Sequence, residues 1–190
     1  MDPLTICVCF SVGVIALLVL FYCVSVFNGL VELQNNVGKA WANIDVVLKQ
    51  RSDLIPNLVE IVKGYMKYEK SVLEEITRLR GEMMSAIGPA EKAAASDALT
   101  SSLKSLFISV ENYPKLQASQ NFLELQKQIA AMENQIADRR EFYNNSVLLF
   151  NTRIKSLPDM LVAIPMGMSQ KEYFKATEGE KENVKMDLGK

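Results

Sequence analysis

No charged side chain occurs between Asp2 and Glu32, and within that window Leu4 to Phe27 is an almost unbroken apolar run. A helix that crosses a bilayer needs about 20 such residues, because the hydrocarbon core is roughly 30 Å thick. A buried core helix of that length would carry a polar stripe. A secretory signal peptide would want Lys or Arg before a shorter apolar stretch and small residues at a cleavage site. Here the run is long and the acidic Met1-Asp2-Pro3 precedes it. The reading is a spanning anchor over residues 1–28. Lys and Arg favour the cytoplasmic flank. The N-terminal flank has none, whereas Lys39, Lys49 and Arg51 follow the run, so the N-terminus is expected outside and the rest in the cytoplasm.

What remains is roughly 160 residues, about one domain. Its apolar residues recur at helical and heptad spacing. Leu30, Val37 and Ile44 are seven apart, with Leu33, Ala40 and Val47 between them and Trp41 and Leu48 widening the stripe. Pro56 is expected to end this first helix and, with Asp53 as a cap, to open the next. The second helix runs from Pro56 to Ala86 along Leu58, Tyr65, Val72 and Leu79, with Val62, Ile76 and Met83 in a row that Glu69 interrupts. Gly88-Pro89 ends it. The third covers Ala90 to Asn112 and stops at Tyr113-Pro114. The fourth is the clearest: after Ser119 as N-cap, Phe122, Ile129, Ile136, Tyr143, Phe150 and Leu157 are all seven apart, over about 58 Å at ~1.5 Å per residue. Pro158 stops it.

The fold class read from this pattern is all-α. An N-terminal transmembrane helix continues into a long antiparallel four-helix bundle with coiled-coil-like packing over residues 29–157. Residues 158–176 form an apolar tail that docks on the bundle base or the membrane interface, and residues 177–190 a charged tail expected to be disordered.

Chemistry-bearing patterns are sparse. There is no His, which removes the usual general base and the commonest transition-metal ligand. Cys7, Cys9 and Cys23 all lie in the apolar run and cannot staple the remainder. A di-metal bundle site wants Glu-x-x-His pairs on facing helices. Glu60, Glu69, Glu74 and Glu75 read as a solvated face, and Asp138-Arg139-Arg140-Glu141 as a structural charge cluster. No catalytic, cofactor-binding or metal-binding residue is assigned, and an enzyme is not expected. With 21 basic against 22 acidic residues, no basic stripe suggests nucleic acid.

Several runs then resemble one family. They are Trp41 to Asp45, Arg51 to Glu60, Val62 to Tyr65, Ala118 to Gln126, Met132 to Ala137 with Arg140, and the pairs Tyr143-Asn144 and Phe150-Asn151. Pro158, Leu161-Val162-Ala163 and Tyr173-Phe174 complete the pattern. Together they resemble the LemA family over residues 28 to 174, with departures at Ser52, Gln135 and Asp138. The resemblance implies a prokaryotic, membrane-anchored, cytoplasmic helical bundle without an established enzyme activity.

The function expected is a non-catalytic, membrane-tethered helical scaffold that binds protein partners or self-associates. The alternative is a membrane-shaping or envelope-stress protein whose C-terminal apolar segment contacts the bilayer. Arg51, Asp53 and Asn57 on one turn, with Lys115 and Gln120 on another, form the expected partner surface at the bundle tip. Met160, Leu161, Ile164, Met166 and Met168 form the expected membrane-interface contact.

Overall fold

The computed structural model describes residues 3–66 and 70–174. Its elements are α1 (Pro3–Tyr65), α2 (Lys70–Ser85), α3 (Pro89–Val110), α4 (Pro114–Gln117), α5 (Gln120–Lys155) and α6 (Met160–Ala163). No strand occurs among the described residues, as the all-α reading requires. Glu69 and the charged tail expected from residue 177 lie outside them.

The chain packs as two compact units, divided inside α1 and α5. The first joins α1 up to Lys39 with Asn145–Lys171; the second joins Ala40–Asn144 with the segment that begins at Glu172.

The second unit is the bundle. Ile44, Leu48, Ile55, Leu58 and Val62 of α1 are buried at intervals of three, four and seven, which is the stripe of a core-facing helix. Leu73, Ile76, Leu79 and Met83 do the same for α2, and Leu99, Leu103, Leu106 and Val110 for α3. On α5 the strict heptad Phe122, Ile129, Ile136 and Tyr143 is buried throughout.

Side-chain contacts fix the directions. Arg51 meets Glu133 and Trp41 meets Tyr143, so α1 and α5 run antiparallel. Thr100 meets Glu133, Arg140 meets Asp97 and Phe107 meets Phe122, so α3 and α5 are antiparallel as well. Lys92 pairs with Asp45, and Ser96 with Arg51, which makes α3 parallel to α1. Arg51 touches Met83 while Arg80 reaches Ser52, so α2 returns against α1.

One boundary differs from the sequence reading. Pro56 neither ends the first helix nor starts the second; it lies inside α1, which continues to Tyr65. A proline within a helix lacks the N–H that would bond the carbonyl four residues earlier, and its ring crowds that carbonyl. Here the carbonyl is that of Ser52, and Arg80 Nε on α2 donates to it at 2.8 Å. The Pro56 ring faces solvent. The neighbouring helix supplies the missing donor, and α1 passes through. Asp53 is therefore a mid-helix residue and not a cap.

The other punctuation acts as the sequence suggests. Gly88 has φ +86, a conformation that favours glycine, and Pro89 takes the first position of α3. Glu91 in the first turn reaches back to accept the Ile87 N–H at 3.1 Å. Tyr113-Pro114 closes α3, with the short α4 inserted before Ser119 and α5.

In the first unit, α1 is long and apolar enough to cross a membrane, and its most apolar window is unburied. Phe10 and Phe21 are about three-quarters exposed. Beyond that window Val26, Leu30 and Val37 turn inward, and Val147, Phe150 and Ile154 of α5 are buried in the same unit. A Cβ added at Gly29 would lie 3.9 Å from the Arg153 guanidinium, which places the end of α5 beside that turn of α1.

The Pro56 arrangement is open to a double-mutant cycle on the detergent-solubilised chain. Arg80→Met in the parent leaves the Ser52 carbonyl without its donor and is expected to lower unfolding stability by about 1–2 kcal/mol. In a Pro56→Ala background the restored N–H takes that carbonyl, and the same change should cost clearly less. Equal losses in both backgrounds would refute the compensation.

Candidate functional site

The most concentrated polar chemistry lies inside the second unit. Arg51, on the α1 stripe, is fully buried. Its Nη1 donates to Glu133 Oε1 at 2.5 Å and to Thr100 Oγ1 at 2.8 Å, and its Nη2 to Ser96 Oγ at 2.9 Å. The Met83 sulfur lies 3.4 Å from Nη2, and Nε has no hydrogen-bond partner. Thr100 also bonds Glu133 Oε2 at 3.0 Å. One guanidinium thus touches all four long helices of the unit.

A groove of about 510 Å³ runs over this cluster between α3 and α5, lined by Ser96, Asp97, Thr100, Glu133 and Arg140 among others. Arg140 pairs with Asp97 there, as Arg51 does with Glu133. These two pairs tie α5 to α1 and to α3, so the arrangement works as a polar lock between helices. Among the described residues no group of three or more His, Cys, Asp or Glu is placed to hold a metal.

A second constellation holds the segment after α6. Asn144 donates to the Phe174 carbonyl at 2.9 Å and accepts its N–H at 2.8 Å. In the first unit, Asn151 makes the same two bonds with Lys171, at 2.9 and 2.8 Å. Each asparagine amide engages both polar groups of one backbone residue, as a neighbouring strand would. Tyr143 donates its hydroxyl to the Glu172 carbonyl at 2.8 Å. Phe174 is fully buried beside the Trp41 ring (6.2 Å between centroids), with the Arg140 guanidinium 4.6 Å from its ring centre. Burial, and then the charge of Glu172, push the Tyr143 pKa above its usual value.

The residues expected at a partner surface are not brought together. Arg51 is interior, because its position on the heptad stripe points it at Glu133; it is a bundle lock and not a contact surface. Asp53 and Asn57 are exposed one turn apart in the last third of α1. Lys115 is exposed on α4, and Gln120 is exposed at the first position of α5. The α1/α5 register sets Asn57 beside residue 127, roughly 10 Å along the axis from Gln120. In the first unit, Leu161, Ile164 and Met166 are exposed, while Met160 and Met168 are half-buried.

Sequence reasoning passed over Asn144 and Asn151 as site residues. A signal was present: Tyr143-Asn144 and Phe150-Asn151 repeat an aromatic–Asn pair seven residues apart. An Asn beside a buried heptad position needs a partner, and the backbone of the returning segment supplies it.

Two outcomes follow for stability. Glu133→Ala strands the buried guanidinium and is expected to cost roughly 3 kcal/mol in chemical unfolding. Arg51→Met leaves a carboxylate that water and Thr100 still reach, and should cost distinctly less; the reverse order would contradict the lock. For Tyr143, a raised folded pKa means that its contribution is complete below the unfolded value of about 10 and is lost as pH climbs through the folded one. Emission of Trp41, the sole tryptophan, should therefore change on alkaline titration, and the change should disappear in Tyr143→Phe.

Protein LemA of Metamycoplasma hominis is 26% identical, with 83% of this chain and 72% of that protein aligned. Magnetosome protein MamQ of Magnetospirillum gryphiswaldense is 26% identical, and magnetosome protein MamQ 2 of Paramagnetospirillum magneticum 24%. Both MamQ matches cover 78% of this chain and 64% of the relative, so the chain spans less than two thirds of their length. The pattern of the LemA family matches residues 40–188. This helical, membrane-associated chain belongs to the LemA family.

Proposed function

We propose that the protein is a non-catalytic, membrane-tethered helical scaffold that binds a protein partner or a second copy of itself through one end of its bundle. The layout follows the sequence: an anchor over residues 1–28, a bundle to residue 157, and a tail. The absence of Lys and Arg before the span, with Lys39 and Lys49 after it, favours an outside N-terminus and a cytoplasmic bundle.

One observation carries the reading. Phe107 and Phe122 touch across antiparallel α3 and α5, with centroids 6.2 Å apart. The next residues, Ile108 and Leu123, therefore share one side of the helix pair. They are 66% and 50% exposed, two large apolar groups that face solvent on the same side of the pair. Lys115 and Gln120 are exposed on the connection between the same two helices. An apolar pair with a polar rim is the makeup of a small protein-binding patch.

A second reading, membrane shaping, draws on the exposed apolar residues after α5. The MamQ relatives are named magnetosome proteins, which accords with work at a membrane.

Photocrosslinking tests the scaffold. A photoreactive residue at Ile108 or Leu123 of the full chain in its host should give one discrete adduct, absent when the probe replaces the still more exposed Ile87. The adduct should be lost when the other member of the pair becomes Asp. Adducts of equal pattern from all three positions would rule out a defined patch.

A further inference from the structure

We infer that the turn after α5, residues 157–166, enters the lipid leaflet beside α1, so that the chain meets the bilayer at two places and not at its spanning helix alone. The inference is independent of the scaffold proposal. It deepens the membrane-shaping reading by naming the surface and its place.

The turn and the neighbouring part of α1 belong to the first unit. The apolar run of α1 extends to Phe27, and its exposed face there is the one that lipid covers. One face of the same stretch is already covered by protein: Val26 is only 6% exposed, Cys23 and Phe27 are half-buried, and Leu30 is fully buried. Arg153 of α5 stands at Gly29. Asp159 pairs with that same Arg153, so the turn after α5 sits close to Gly29, two residues beyond the end of the apolar run. The Arg153–Asp159 ion pair and the buried Ala163 pin this turn in place.

What the turn presents outward is apolar. Leu157 is 70% exposed, Leu161 65%, Ile164 66% and Met166 51%. Four large apolar groups on about ten residues have no covering group in the unit, and in water they would be an unfavourable patch. Lipid beside the span removes that cost. The charges are arranged to agree: Asp159 is turned inward onto Arg153, whereas Lys155 is exposed just before the turn, where a phosphate headgroup would take it. The occupant is thus the acyl region of a phospholipid leaflet, reached by continuity with the span.

The test uses the full chain in phosphatidylcholine–phosphatidylglycerol vesicles, with acyl chains either plain or dibrominated. A Trp is added at Ile164 or Met166, Trp41 being kept, and quenching is read as the excess over the parent chain. Both I164W and M166W should show blue-shifted added emission that bromine removes, while I108W in the bundle should not. Added emission at both turn positions that bromine leaves intact, with circular dichroism unchanged, would overturn the inference. Vesicle shape separates the two ideas. Quenching without deformation supports the contact and removes membrane shaping, whereas unquenched turn positions remove the contact whatever the vesicles do.

Discussion

A single buried guanidinium sets the arrangement of the bundle. Arg51 sits on the apolar stripe of α1, at a heptad step where an aliphatic residue would pack more cheaply, since removing a charge from water costs several kcal/mol before any partner is found. Its partners come from everywhere around it: Met83 of α2, Ser96 and Thr100 of α3, Glu133 of α5. A heptad slip in any of these helices would keep the apolar stripes in contact, because leucine and isoleucine rows repeat. A slip of α5 would put Gln126 or Arg140 in place of Glu133 and leave Arg51 without its carboxylate. The charge therefore discriminates between registers that hydrophobic packing treats as nearly equal.

The passage of α1 through Pro56 depends on the same register. Arg80 reaches the Ser52 carbonyl only because α2 returns against α1 with Met83 at the level of Arg51. Two adjacent residues, Arg51 and Ser52, thus receive α2 through a side chain and a carbonyl respectively. Ser52 is itself buried, so its carbonyl would otherwise lack both its helical donor and water.

Asparagine handles the remaining backbone. The segment after α6 is not helical, and its polar groups need partners where it lies on α5. Asn144 and Asn151 supply both donor and acceptor for Phe174 and Lys171. Around the former, the Trp41, Tyr143 and Phe174 rings with Arg140 make an aromatic cluster that seals the end of this strap. Apolar side chains remain exposed elsewhere, among them the turn from Leu157 to Met166 and the pair Ile108 and Leu123.

The sequence by itself determined that the fold is all-α, that its first helix is apolar enough to span a bilayer, and most of the rows that form the core, with Tyr65 and Leu157 as exposed exceptions. Phe122 through Phe150 at seven-residue spacing admit no other reading, because period and side-chain polarity are local properties of the chain. Gly88-Pro89 and Tyr113-Pro114 were legible for the same reason. Only the tertiary structure decided that Pro56 is an interior residue, that Arg51 is a lock and not a surface, and that Asn144 and Asn151 hold the returning strap. Each depends on a donor, acceptor or charge supplied from a distant part of the chain: Arg80 for Ser52, Glu133 for Arg51, Phe174 and Lys171 for the asparagines. A residue's neighbours along the chain state what it needs, and only its neighbours in space state whether the need is met.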